Sequence, residues 1–138
     1  MTGYLFESDI VSSTFRRRPS AIVADRLAAV PRTEQFVSAI TLGELLFGAT
    51  RVGRVNLLVR IEAFLPRLAR VLPFDEQAAR IFGPLKADLQ RLGTPLDEAD
   101  LRIASIALAN DLTMVTGNVR HFARVPGLGI ENWLDASG

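Results

Sequence analysis

An alternation constrains this chain most. Short apolar runs that end in polar or acidic residues recur along its 138 residues, each followed by a segment with apolar side chains at helical spacing. Tyr4-Leu5-Phe6 breaks into Glu7-Ser8-Asp9, and a helix is expected over 10–15. A second helix is expected over 21–30, with Ile22, Val23, Leu27 and Val30 on one face and Pro31 after it. Phe36-Val37-Ser38-Ala39-Ile40 reads as the second strand, Thr41 opens a helix through Glu44 to Phe47, and 57–68 reads as a helix interrupted at Pro66. Val71-Leu72-Pro73-Phe74 is a short strand in which proline argues for a sheet edge or a strand end. Asp75 caps a helix that runs to Gly93, and Asp97 begins another that is apolar nearly all round from Leu101 to Leu108 and so should be the most buried. Leu112-Thr113-Met114-Val115-Thr116 and Gly129-Ile130-Glu131 supply the last strands. Alternating strands and helices predict an α/β fold with a parallel sheet flanked by helices, and such a sheet binds ligands at the carboxyl ends of its strands. Glu7 and Asn118 both fall at that edge. With no internal repeat and no linker tract, 1–138 reads as a single domain.

Composition narrows the chemistry. The chain has no cysteine and a single histidine, His121, which removes disulfides, thiolate metal sites and cysteine nucleophiles and leaves a histidine-based metal centre one ligand at most. The formal net charge is +1, so any nucleic-acid site has to be local rather than a global polycation field. No apolar run is long enough to cross a membrane and no signal peptide is legible at the N-terminus, so a soluble, cytoplasmic protein is expected. Carboxylates remain as the main chemical resource.

Four acids stand at strand ends or in first helical turns: Glu7, Asp9, Glu44 and Asp100. Three have structural explanations. Asp9 has the position to cap the helix that follows, Thr41 and Glu44 have capping-box spacing, and Asp100 follows Asp97 at a helix N-terminus, where negative charge is favourable. Glu7 has no capping duty of its own. Taken together, acids converging on one sheet edge repel one another unless a cation joins them, and oxygen-only ligation suits Mg²⁺ or Mn²⁺ rather than Zn²⁺. Hydrolysis of a phosphodiester is the natural reaction for such an ion.

The run Tyr4 to Ser12, the segment Ser38-Ala39-Ile40-Thr41-Leu42-Gly43-Glu44-Leu45, the segment Pro95-Leu96-Asp97-Glu98-Ala99-Asp100 and the run Val115-Thr116-Gly117-Asn118 with His121-Phe122 and Asn132-Trp133 resemble, in order, the PIN-domain family. Within that family the chain is similar to the VapC toxins of bacterial toxin-antitoxin pairs. The resemblance implies a Mg²⁺- or Mn²⁺-dependent endoribonuclease acting on RNA such as tRNA or rRNA, often a homodimer, and neutralised by a VapB-type antitoxin whose C-terminal segment lies across the active-site groove. It further implies that Glu7, Glu44, Asp100 and Asn118 are the catalytic positions, with Glu7, Glu44 and Asp100 holding the metal and Asn118 orienting water. One departure stands out. Where the family has Asp-Thr-Asn or Asp-Ser-Asn, this chain has Glu7-Ser8-Asp9, so the first acid is one methylene longer and an extra acid stands two residues on. Either Glu7 reaches the ion through a different rotamer, or Asp9 takes part of its role, or the site is crippled, and the last keeps open a catalytically weakened module that binds antitoxin or RNA without efficient cleavage. A DNA-acting nuclease of related fold is disfavoured by the short chain. Arg16, Arg17 and Arg120, with Arg18 and Arg124 nearby, are the candidate phosphate contacts, whereas His121 is expected to pack.

Overall fold

The computed structural model describes residues 3–16, 18–64 and 70–134. Five strands, β1 (Tyr4–Phe6), β2 (Gln35–Ser38), β3 (Arg70–Leu72), β4 (Thr113–Val115) and β5 (Ile130–Glu131), form one sheet in the order β3-β2-β1-β4-β5. Every neighbouring pair is parallel, with Leu5 beside Phe36 on one side and beside Met114 on the other. The expected architecture is therefore present, and β3, the strand before Pro73, lies at an edge.

The helices are α1 (Ser8–Ser13), α2 (Ala21–Ala29), α3 (Ala39–Arg51), α4 (Val55–Phe64), α5 (Glu76–Arg91), α6 (Glu98–Ala109) and α7 (Val119–Phe122). Successive strand residues point to opposite faces, so β1 sends Leu5 one way and Phe6 the other, and β4 divides Met114 from Val115 in the same manner. On one face, Leu5 and Met114 pack with Leu85 and Leu89 of α5 and with Leu101, Ile103 and Ile106 of α6. On the other, Phe6, Val37 and Val115 pack with Ile10, Val11, Val23 and Trp133. The α6 helix is buried as its composition predicts, with Leu101 and 103–107 out of solvent.

Two expectations are corrected. Ala39 and Ile40 belong to α3 rather than to β2, because Ser38 is the N-cap and its hydroxyl accepts from the Thr41 N–H at 2.9 Å. Thr41 is thus inside the helix, and the Thr41/Glu44 capping box does not form. The second concerns 57–68, which is helical from Val55 to Phe64; Leu65, Pro66 and Leu68 lie outside the described residues.

The strand order fixes where a site can be. From β1 the chain builds outward to β2 and β3, then returns to place β4 and β5 on the other side, so the sheet switches direction between β1 and β4. Loops leaving the carboxyl ends of those two strands diverge and leave a crevice.

Candidate active site

Glu7 leaves β1 at this crevice with extended backbone and occupies the N-cap position of α1, yet its side chain makes no capping bond. Its backbone N–H donates to Val115 O at 3.0 Å, which locks it beside the end of β4. Its carboxylate accepts from Ser8 Oγ and, across the switch point, from Thr116 Oγ1, each at 3.3 Å. Asp9, in the first turn of α1, does not cap it. Its Oδ2 reaches across to accept the Gly117 N–H at 2.8 Å, and its carboxylate is also in hydrogen-bond contact with the Glu7 carboxyl. A Cβ on Gly117 would lie 2.8 Å from that Oδ2 and 2.7 Å from Leu134, so glycine is what permits the approach.

Asp100 comes from the first turn of α6, where Asp97 is the N-cap and accepts the Asp100 N–H at 2.8 Å. The Asp100 side chain is only 14% exposed and its Oδ2 lies 3.2 Å from His121 Nδ1. The same imidazole nitrogen is 3.0 Å from Asn118 Nδ2. One nitrogen cannot donate to Asp100 and accept from Asn118 at once, so the tautomer of His121 chooses between the two. Glu44 stands on α3, released from capping by Ser38.

The acids act on one another. Glu7 is pushed up to about 8, first by desolvation, then by the adjoining Asp9 carboxylate and the charge of Asp100. Glu44 is raised by desolvation and by the charges of Asp100 and Asp97. Asp100 is raised by burial and by Asp97, with His121 working in the opposite direction. The structure thus brings Glu7, Glu44 and Asp100 into one electrostatic cluster, with Asn118 tied to it through His121.

In kind, this donor set fits a hard divalent cation: every donor is an oxygen, and the charges repel without a counter-charge. As they stand, however, no three acidic or imidazole groups among the described residues meet closely enough to hold an ion. Glu7 and Glu44 are the long side chains that would have to swing inward.

A groove of about 360 Å³ opens from Ser8 and Glu44 and runs over an apolar wall that includes Leu45, Leu57 and Ile61, with Arg16 and Arg54 at its lining. Arg120 is exposed on α7, two residues beyond Asn118. Arg124 is engaged elsewhere, donating to Pro95 O at 2.8 Å, and Arg17 lies outside the described residues. His121, expected to pack, instead contacts Asp100 and Asn118, and Asp9, expected to cap α1 or to share the role of Glu7, does not cap and is tied to Gly117. The signal for Asp9 was its replacement of a neutral residue in the family pattern; for His121 it was the spacing of three from Asn118, which places both on one side of a helical turn.

Comparison with known proteins agrees with this geometry. The PIN domain model matches residues 4–128. A tRNA(fMet)-specific endonuclease VapC of Salmonella typhimurium is 44% identical over 135 residues, covering 96% of this chain and 99% of that protein. Ribonuclease VapC2 of Haemophilus influenzae is 35% identical over 136 residues, covering 97% and 100%. Among solved structures, the DNA-bound VapBC of Salmonella typhimurium superposes with a TM-score of 0.88 at 34% identity, covering 96% of this chain and 99% of that one. A parallel sheet in this order, acids gathered where β1 and β4 diverge, and full-length relatives named as ribonucleases lead to one assignment: the chain belongs to the PIN-domain family and stands among its VapC ribonucleases.

Proposed function

We propose that this protein is a Mg²⁺- or Mn²⁺-dependent endoribonuclease, the toxin of a toxin-antitoxin pair, cutting structured RNA of the tRNA or rRNA kind. The observation that carries the reading is the cluster of mutually repelling carboxylates at the switch point of the sheet, placed beside Asn118 and at the mouth of a groove with basic lining. Glu7, Glu44 and Asp100 would hold the cation. A bound divalent cation of this class polarises a phosphoryl oxygen and makes water a nucleophile near neutral pH.

The protein's own groups do the rest. Asp100, its side chain 14% exposed, projects from the first turn of α6, which Asp97 caps. Asn118 orients the attacking water through its amide, and His121 fixes which way that amide faces. Arg16 at the groove and Arg120 beyond Asn118 bind backbone phosphates on either side of the acids, with Arg17 reserved for the same role by sequence alone. A VapB-type antitoxin would inhibit by laying its C-terminal segment in the groove, apolar side chains on Leu45, Leu57 and Ile61 and basic ones toward Glu44. The exposed Phe47, Val55 and Val59 on α3 and α4 extend that apolar surface and suit a homodimer. Among the described residues no helix is long and apolar enough to cross a membrane, and the reading places the protein in the cytoplasm with its RNA.

The test is cleavage of total tRNA and rRNA, with a DNA control, by antitoxin-free protein supplied with Mg²⁺ or Mn²⁺. Asp100→Ala should abolish cutting, and Glu7→Ala should lower it strongly. A second reading, binding without efficient cleavage, draws on one observation: Glu7 is raised to about 8, so near neutral pH it resists the charged form a ligand needs. Glu7→Asp separates the two. If wild type is inert on every RNA and only Glu7→Asp cuts, the enzyme reading fails for this chain and the binding role replaces it.

A further inference from the structure

We infer that the groove beside Glu44 is a nucleotide subsite: it takes one unpaired nucleotide of the RNA next to the cut, with the base against Phe15 and the phosphate on Arg54. The inference rests on the ribonuclease reading above for the class of substrate, and it adds two residues outside the expected contact set. Arg54 stands exposed in the turn between α3 and α4 and lines the groove together with Arg16. Many cations elsewhere are engaged. Arg26, Arg80, Lys86, Arg91 and Arg102 pair with acids, and Arg60 and Arg124 donate to backbone carbonyls. Arg16 and Arg54 have no ion pair or side-chain hydrogen bond among the described residues, so both guanidinium groups are open to an anion. The fork of such a group matches a phosphate.

Phe15 supplies the other half. Just past the end of α1, it lies between two grooves and lines both. Arg60 sits over its ring, 5.3 Å from the centroid, and donates to its carbonyl at 3.0 Å, while Phe64 meets the ring at 5.8 Å and 81°. Both partners line the second groove and neither lines the first, so the part of the ring that reaches the first groove is uncovered while α4 holds it in place. A fixed aromatic ring beside a free guanidinium is a means of binding an unpaired base, by stacking with its phosphate neutralised. The volume of about 360 Å³ suits a group of small-ligand size rather than an RNA helix. Continuity with the acids says which nucleotide it is. Glu44 and Ser8, the latter hydrogen-bonded to Glu7, line the same groove, so its occupant adjoins the phosphate held by the acids.

The probe is a fluorescein-labelled oligouridylate carrying one 2-aminopurine, titrated in chelator to withhold the cation that cleavage needs. Anisotropy reads affinity, and the change in 2-aminopurine emission reads stacking. Arg54→Ala should lower the salt slope by about 0.7, which is about a 5-fold loss of affinity at 0.1 M salt. Arg32→Ala, an exposed cation outside this groove, should leave the emission change in place and is the control. Phe15→Leu should weaken binding by about 5-fold or more and remove the emission change, the loss expected for one base stack, and Phe15→Tyr should restore both. Unchanged binding in either Arg54→Ala or Phe15→Leu overturns the inference, and unchanged binding in both leaves the groove to the antitoxin segment alone. The ribonuclease reading is then still decided by cleavage and Asp100→Ala. A loss in Phe15→Leu that Phe15→Tyr does not restore makes the ring structural and overturns the inference. A change from dimer to monomer in either variant, read by light scattering, gives the groove to a contact between copies and overturns it too, as does a wild type that does not bind the probe.

Discussion

At the scale of single residues, the cluster makes a thermodynamic prediction that requires no substrate. Glu7 binds its proton more tightly in the folded protein than in the unfolded chain, being raised from 4.5 to about 8. Below the unfolded value both states are protonated and the group is neutral toward folding. Between the two values the unfolded state releases the proton and the native state keeps it, so stability falls as pH rises through that window. Glu44 and Asp100 are raised as well and act with the same sign. The chelator-treated protein should therefore melt several degrees lower at about pH 8 than at about pH 5, and Glu7→Gln should flatten most of that slope; a flat wild-type profile would contradict the geometry of the cluster. His121 makes the second prediction at this scale. As the residue that bridges Asp100 and Asn118, its loss in His121→Ala should lower kcat by roughly 10-fold with little change in KM or melting temperature, and His121→Gln should recover part of it. A change confined to KM would instead assign the imidazole to RNA binding.

At the scale of elements, helix starts aim the acids. Ser38 begins α3 and Asp97 begins α6, and each sets the phase at which an acid projects, Glu44 in the second turn of α3 and Asp100 in the first turn of α6. Ser38 is fully buried, so its hydroxyl serves both as cap and as partner to Thr41 Oγ1 at 3.1 Å. Ser38→Ala should cost about 1–2 kcal/mol by urea denaturation, at the upper end of capping effects because the orphaned N–H has no water to turn to. Activity should fall with it, since the register of Glu44 depends on that start. If the helix instead began at Thr41, as the capping-box spacing suggested, Ser38→Ala would be nearly neutral and Thr41→Ala the costly change.

At the scale of the whole molecule, the two faces of the sheet carry different duties. The face bearing α5 and α6 holds the larger core and supports Asp100, while the opposite face closes on Trp133, whose ring lies 5.2 Å from both Tyr4 and Phe6. The end of the described chain is thereby packed against its first strand, behind Glu7. Net charge is +1, so attraction for RNA cannot come from the molecule as a whole. Arg16 and Arg120 should each contribute one phosphate contact, and Arg16→Ala or Arg120→Ala should reduce the salt slope of RNA affinity by about 0.7, as measured by binding titrations at several ionic strengths with uncleaved RNA. An unchanged slope in both would move the RNA path to another surface.

How much of this was legible beforehand differs between fold and site for a physical reason. Strand and helix identity follow from side-chain periodicity, a property of neighbours in sequence. The alternation of apolar runs with helical patterns therefore determined the parallel α/β sheet, the burial of α6, the caps at Asp75 and Asp97 and the edge position of β3. The resemblance in its motifs added a site role for Asn118 to the acids Glu7, Glu44 and Asp100 already singled out by position. What the sequence could not determine were relations between segments far apart in the chain. The tie from Asp9 to Gly117, the bond from Thr116 to Glu7 and the contact of Asp100 with His121 all join residues from different parts of the chain. So does the mutual elevation of the acids, because desolvation and Coulomb coupling depend on distance in space rather than along the chain. Periodicity sets the elements; only the folded sheet, by bringing the ends of β1 and β4 together, turns scattered carboxylates into one site.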